Sequence, residues 1–374
     1  MKLICLKNHL KEAIGLCEKI TGKNLSLPIL NNILISAESN RSLKFIATNL
    51  ELGIEVEIPA KIEKKGKITV AAGVINNFIS NFSGDASSAS GQENITFESQ
   101  NNNLLISTQN SSTLIKGQST EDFPIIPNIN TDKHIMIPVN DFISGLKSVW
   151  YSCSFSNIKP EISSVFIFSD KKPITFVATD SFRLAEKKFN YSFPELSPLL
   201  VQLRAVAEIL RVFEGKEGKI KLSFNKNQIN LELDNIKFIS RLTEGIFPDY
   251  EQIIPKKFVT DVIVDKNIFI NSLKTAGIFS GKLNELNIIT GVKNNFLTLK
   301  TSSVDVGEHV VSIPAKITGD DIKITFNHKY IFDCLQHVLS SKILLRFAGE
   351  GKPLLITGAE DNSFQYLVMP MNSV

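Results

Sequence analysis

Four cysteines in 374 residues is a low count. Cys5, Cys17, Cys153 and Cys334 are scattered and never form a Cys-x-x-Cys pair. That excludes a disulfide framework and predicts reduced thiols in a cytoplasmic protein. No sign of charge dominates either: 41 Lys and Arg against 38 Asp and Glu leave a net charge of +3. Bulk charge of that size cannot hold nucleic acid, so any DNA role must rest on local placement of cations or on topology. Long apolar runs are also missing. Leu3 to Leu6 is cut off at once by Lys7, His9, Lys11 and Glu12, which predicts neither a secretory signal nor a membrane span of about 20 residues.

Catalytic and metal signatures are equally scarce. Gly349-Glu350-Gly351-Lys352 and Gly215-Lys216-Glu217-Gly218-Lys219 lack the spacing of a phosphate loop and read as hairpin turns. The five histidines, His9, His134, His309, His328 and His337, include no His-x3-His pair and no neighbouring carboxylates at ligand spacing. No Gly-x-Ser-x-Gly elbow occurs. Asp320-Asp321 reads as a solvated turn, and Asp180 stands outside any acidic cluster. The expectation is a protein without catalytic residues, metal or cofactor.

What the chain does have is a core and a repeat. With 43% hydrophobic residues it can bury a sizeable interior, and its length suits two or three domains. Thr120-Glu121-Asp122-Phe123-Pro124 returns as Thr243-Glu244-Gly245-Ile246-Phe247-Pro248, each followed by a second proline, Pro127 and Pro255. Such segments read as extended connectors, which sets domains at 1–127, 128–255 and 256–374. Phe45-Ile46-Ala47-Thr48-Asn49 matches Phe176-Val177-Ala178-Thr179-Asp180, with Leu299-Lys300-Thr301-Ser302 at the equivalent place. Ile58-Pro59-Ala60-Lys61-Ile62 returns unchanged as Ile313-Pro314-Ala315-Lys316-Ile317. Period detection of this kind decides the architecture.

Each third opens with a short alternating strand (Leu3 to Leu6, Ile135 to Val139, Val262 to Val264) and then a helix, for which Asn8, Asn140 and Asn267 are the expected N-caps. Second helices are predicted at Val74 to Phe82, Leu203 to Phe213 and Tyr330 to Leu339. Alternating stretches such as Ile220 to Phe224 and Leu231 to Leu233 read as antiparallel strands, and Ser83 to Gly91 as a flexible loop. Two helices packed on antiparallel sheet, three times over, is an α+β plan.

Leu27-Pro28-Ile29-Leu30, Ala178-Thr179-Asp180-Ser181-Phe182-Arg183-Leu184, Phe247-Pro248-Asp249-Tyr250 and Tyr366-Leu367-Val368-Met369-Pro370-Met371 carry a resemblance to the beta subunits of bacterial DNA polymerase III. It runs in order through essentially the whole chain. The resemblance implies three tandem clamp domains, a head-to-tail homodimer closed as a six-domain ring, and helices lining a hole around duplex DNA. Binding would be topological and independent of sequence, in keeping with sparse phosphate contacts. Implied partners are the replicative DNA polymerase, the clamp loader and clamp-binding repair proteins, with no membrane.

The resemblance also implies site residues. DNA contacts would fall on Lys23, Ser156, Asn157, Lys159 and Arg204; independently of the resemblance, Lys11, Lys19, Lys147, Arg204, Arg211, Lys274 and Lys282 lie in or near the predicted helices and are together the candidates for a cationic lining. A pocket for short apolar partner peptides would draw on Ile162, Thr179, Phe182, Arg183, Leu184, Pro248, Ile253, Val368, Met369, Pro370 and Met371. Aliphatic and thioether side chains with a few polar anchors suit such a groove, and an apolar chain end fixed by proline is expected to be docked rather than frayed. The dimer seam would use Ile115 on a first-third edge strand and Ile278 with Phe279 in the last third. Two other readings fit the repeats: a non-enzymatic scaffold binding partner peptides without DNA, and a nucleic-acid enzyme whose site lacks a familiar motif.

Overall fold

The computed structural model describes residues 1–22, 27–81, 93–127, 134–156, 158–170, 173–189, 191 and 193–371. These contain six α-helices: α1 (Lys7–Ile20), α2 (Ala72–Asn81), α3 (Val139–Val149), α4 (Leu203–Phe213), α5 (Lys266–Ile278) and α6 (His328–Cys334). The second predicted helix of the last third begins two residues early and tightens into a 3-10 turn, Leu335–His337. Single helices separate runs of antiparallel strands, as the α+β plan expects.

The chain divides into two compact units, Met1–Asn140 with Ala207–Leu242, and Asp141–Val206 with Thr243–Val374. In the first unit a thirteen-stranded sheet runs from Ile135–Pro138 through Lys219–Phe224, Gln228–Leu233 and Ile236–Arg241 to Leu52–Pro59, and on through the strands of the first third. Ile236 pairs with Val56 and Ser240 with Leu52, so strands of the first and middle thirds share one ladder. Lys2–Leu6 and Asn103–Ser107 bury alternate residues, the pattern of strands with one face on a core. Against Leu52–Pro59 and Ser42–Thr48 lies α1, whose buried Leu10, Ala13, Ile14, Cys17 and Ile20 form one stripe at helical spacing. It packs on α2, which buries Ala72, Ile75 and Ile79.

In the second unit a nine-stranded sheet carries Leu196–Gln202, Ser164–Ser169, Thr175–Thr179 and Arg183–Lys188, then Phe364–Val368, Leu354–Gly358, Lys342–Phe347, Thr260–Asp265 and Lys316–Gly319. The join between middle-third and last-third strands is Arg183–Lys188 against Phe364–Val368, with Leu184 opposite Leu367. A four-stranded sheet of Gly307–Pro314, Phe296–Ser303, Glu285–Gly291 and Lys323–Asn327 completes the unit.

The sequence repeats are repeats of structure. Both Ile-Pro-Ala-Lys-Ile copies leave one strand and enter the next, placing Ile62 opposite Leu3 and Ile317 opposite Val262. Thr48 and Thr179 each donate to the carbonyl four residues on, Leu52 and Arg183, at 2.7 Å. Asn49 Oδ1 accepts from the amides of Glu51 and Leu52, and Asp180 Oδ1 from those of Phe182 and Arg183. The residues between, Leu50 and Ser181, sit at φ 75° and 77°. These side-chain acceptors hold a left-handed backbone that neither residue prefers. Thr301 differs: it lies inside a longer strand and donates to Ala276 O in α5.

Several expectations are corrected. None of Asn8, Asn140 and Asn267 is an N-cap. Leu6 precedes α1 without a side-chain bond, Asn140 is already helical, and Asp265 caps α5 by accepting from Ile268 N. Each strand runs almost directly into its helix, so the cap falls earlier than the asparagine. The helix that does start on an asparagine is α6, where Asn327 accepts from Lys329 N and Tyr330 N. Gly215 to Lys219 links α4 to a strand instead of closing a hairpin, whereas Gly349 to Lys352 does join two paired strands. Lys282, expected in or near a helix, lies near the end of α5. The loop predicted from Ser83 to Gly91 lies outside the described residues.

Candidate partner groove and nucleic-acid contacts

The pocket residues gather on the nine-stranded sheet, but on two faces. Side chains alternate across a strand, and paired residues point the same way. Leu184 and Leu367 therefore share one face, and Arg183 and Val368 the other. On the first face Val177, Leu184, Leu200, Leu355 and Leu367 form a buried apolar floor. Phe247 and Tyr250 close on it, with Phe166, Phe168, Ile254 and Phe258 packed around. Phe247 stacks on Phe166 at 4.7 Å and meets Tyr250 edge-on. Pro248 and Ile253 lie on this crossing segment with their side chains exposed. Thr179 is buried in the turn described above, Ile162 is buried in the 154–163 loop, and Phe182 is exposed at the rim.

On the opposite face Arg183 is a buried cation paired with two carboxylates. Its Nε donates to Asp180 Oδ2 and its Nη1 to Asp333 Oδ2 of α6, both at 2.9 Å. Its guanidinium lies 4.4 Å from the Tyr330 ring, a cation–π contact. Burial alone would lower its pKa; Tyr366 and Asp180 outweigh that and raise it. Arg183 thus clamps the Asp180 turn to α6, and Val368 beside it is fully buried. Residues 369–371 are tied down: Met369 N donates to Phe182 O and Met371 N to Thr325 O, both at 2.8 Å, while Pro370 bridges to Phe326.

Sequence reasoning missed Leu367, Leu200, Phe247 and Tyr250 in the floor and cover, and Tyr330 and Asp333 behind Arg183. A period-two count from Leu184 and along Phe364–Val368 finds Leu367. Nothing local in the sequence points from Arg183 to α6.

For DNA, Lys23 and Asn157 lie outside the described residues. Ser156 and Lys159 are exposed on the 154–163 loop. Ser163 Oγ donates to the carbonyls of Ser156 and Lys159, and Ser163 O accepts from Leu203 N. The loop therefore meets the first turn of α4, where Arg204 is exposed. Backbone donors there and the helix dipole favour an anion. Lys11 and Lys274 are exposed on helices, Lys147 is half-buried, and Lys19 and Arg211 pair with Glu18 and Glu208. Among the described residues no group of three His, Cys, Asp or Glu is placed to hold a metal.

At the seam positions, Ile115 is buried, while Leu114 beside it is 54% exposed. Their strand, Ser112–Gln118, pairs fully with Asn103–Ser107 but meets Gly66–Ala71 only through Gly117 and Gln118. One edge of residues 112–116 is thus open. Ile278 is 64% exposed at the end of α5, and Phe279 stacks on His309 at 5.6 Å. His309 belongs to Gly307–Pro314, the outer strand of its sheet.

Known proteins agree with this architecture along its full length. Structures of a DNA polymerase sliding clamp from Bacillus subtilis and of the DNA polymerase III subunit beta from Pseudomonas aeruginosa superpose with TM-scores of 0.93 and 0.92. Both comparisons cover 100% of each chain, at 23% and 18% identity, and so speak for the fold. The beta sliding clamp of Synechocystis sp. is 28% identical over 392 residues, covering 100% of both chains. Models of the N-terminal, central and C-terminal domains of the DNA polymerase III beta subunit match residues 1–127, 136–249 and 251–372. With three domain models in sequence over nearly every residue, the chain belongs to the DNA polymerase III beta subunit family.

Proposed function

We infer that the chain is a sliding DNA clamp, a non-catalytic subunit that encircles duplex DNA and tethers the replicative polymerase and other DNA-processing proteins. Beyond the family match, the observation that carries this reading is the pair of open strand edges, residues 112–116 in the first third and Gly307–Pro314 in the last. A head-to-tail dimer would pair these edges twice, closing a ring and removing two aggregation-prone edges from each protomer. Exposed Leu114 and Ile278 would be covered in the same step. Closure would explain how a chain of net charge +3 stays on DNA: escape is prevented by topology, and sparse contacts at Ser156, Lys159 and Arg204 permit sliding.

The domains would be 1–127, 128–255 and 256–374, and the working place the cytoplasm, where the DNA is. No helix of the described residues is long and apolar enough to cross a membrane. Polymerase, clamp loader and repair proteins would dock a short apolar peptide, of the Gln-Leu-x-Leu-Phe kind, at the margin of the buried floor of Leu184 and Leu367. Pro248, Ile253 and Met369 would form its walls and Phe182 its rim.

Light scattering and a retention assay test this together. A mass about twice 41.5 kDa, with retention on nicked circular but not linear DNA, is expected. A dimer that binds partner peptides without retention on circles would instead identify a scaffold, and a strict monomer would remove the ring.

A further inference from the structure

Glu186 sits where a carboxylate has no ordinary business. It lies on Arg183–Lys188 with 2% of its side chain exposed, on the sheet face that carries Val177, Leu184, Leu355 and Leu367. A charge in such surroundings is costly unless its oxygens are paired and hydrogen-bonded. Here they are, by three elements at once. Tyr250 Oη donates to Oε2 at 2.6 Å. Gln365 Nε2, from the neighbouring strand, donates to Oε1. Lys188 Nζ, half in solvent, reaches the same oxygen at 2.9 Å.

The Tyr250 bond links the floor to the cover. Tyr250 opens the 3-10 turn Tyr250–Ile253 and is itself buried. The chain on both sides of it supplies the candidate groove walls, Pro248 before and Ile253 after. Apolar contacts of Phe247 and Tyr250 with the floor are not directional and tolerate sliding of the segment by a fraction of a side chain. A charge-assisted bond from a phenol to a buried carboxylate fixes one register. Burial first, and then the Glu186 carboxylate, push the Tyr250 pKa up, so its hydroxyl remains a donor throughout the physiological range.

We propose that Glu186 is a positioning residue of the peptide groove. Through Tyr250 it locks the crossing segment Phe247–Ile254 in the register that presents Pro248 and Ile253 to a bound peptide. The proposal rests on the groove reading given above. Its distinguishing feature is that affinity, and not merely folding, depends on a group that the peptide never touches. An apolar residue at position 186 would satisfy the surrounding floor better, yet would leave the cover free to shift.

The test is fluorescence anisotropy of a labelled Gln-Leu-x-Leu-Phe peptide with the full-length protein at 25 °C, beside thermal melts of each variant. Tyr250→Phe keeps the ring and deletes the donor; it should weaken binding about tenfold, the scale of one lost hydrogen bond. Glu186→Leu should do the same, and the double variant should lose no more than either alone. Glu186→Gln keeps an acceptor for Tyr250 and should bind within about twofold of the parent. A merely structural role would lower melting temperatures and leave the affinity of the folded variants unchanged, and that result overturns the proposal. Should Glu186→Leu fail to fold, Tyr250→Phe against Glu186→Gln decides the matter. Parent protein that binds no peptide refutes the groove itself; parent binding with an unaffected Tyr250→Phe refutes only the role of Glu186.

Discussion

Ile278→Asp should open the ring. The isoleucine stands in the last turn of α5 with 64% of its surface in water, so in the separate protomer its loss removes little packing. Fully burying an isoleucine is worth about 1.5–3 kcal/mol, and about two-thirds of that remains for a seam to gain, or about 1–2 kcal/mol. An aspartate there forfeits this gain and adds the desolvation of a carboxylate, a further ~2–3 kcal/mol where hydration is only partly lost. The sum is about 4 kcal/mol for one seam. A two-fold ring contains the seam twice, which makes about 8 kcal/mol, on the order of a million-fold in Kd. Even a quarter of that shifts Kd about thirtyfold. Sedimentation equilibrium or light scattering across nanomolar to micromolar concentrations would read the change, with a melt to confirm that protomer stability moves by no more than about 0.5 kcal/mol. A dimer mass that persists unaltered at low micromolar protein would refute the placement of Ile278 at the seam.

Other outcomes follow from the same contacts. Met369→Ala with Met371→Ala should weaken peptide binding by about 2 kcal/mol while the dimer mass stays fixed, as isothermal titration would record. Gly277→Ala would bring a Cβ to 2.7 Å from the His328 ring, and that ring is held by its 2.6 Å contact with Leu273 O. A cost of about 1–3 kcal/mol is expected, seen as a lower first melting transition. Burial, helped by Lys147, Lys266 and Lys187, lowers the His337 pKa from 6.5 to about 4. Between those values the unfolded chain takes up a proton that the folded one refuses, so stability falls as pH drops from about 6.5 to about 4. The full loss is about 3 kcal/mol, and His337→Gln should flatten that part of the melting profile against pH.

Much of the architecture was legible because repetition amplifies weak local signals. The Thr48 and Thr179 turns are spelled by the same residues for the same reason: a threonine and an Asn or Asp supply the acceptors and donors of one loop. Helix faces such as Leu10, Ile14 and Cys17 follow from spacing alone. Helix starts were less legible. An asparagine near a boundary satisfies the capping rule wherever it falls within a residue or two, and only the strand's exit angle settles which residue caps. The groove was half legible. Leu184 lies on the face covered by the segment that carries Pro248 and Ile253, but Arg183 and Val368 point to the other. Consecutive residues of a strand cannot line the same surface, a constraint that a list of matching positions ignores. Tyr250, Glu186 and Gln365 come together from three distant segments, and no spacing within the chain announces such a meeting.

The ladders that join Ile236 to Val56 and Leu184 to Leu367 have a practical corollary for anyone dividing the chain. Cutting at either connector would strip a strand of its neighbour and leave a hydrogen-bonding edge without a partner. The middle third would suffer most, because its own strands are shared out between two compact units and it would be severed on both sides. Isolated single repeats should therefore come out of cells as aggregates. Fragments that follow the structural units would need two discontinuous pieces of chain apiece.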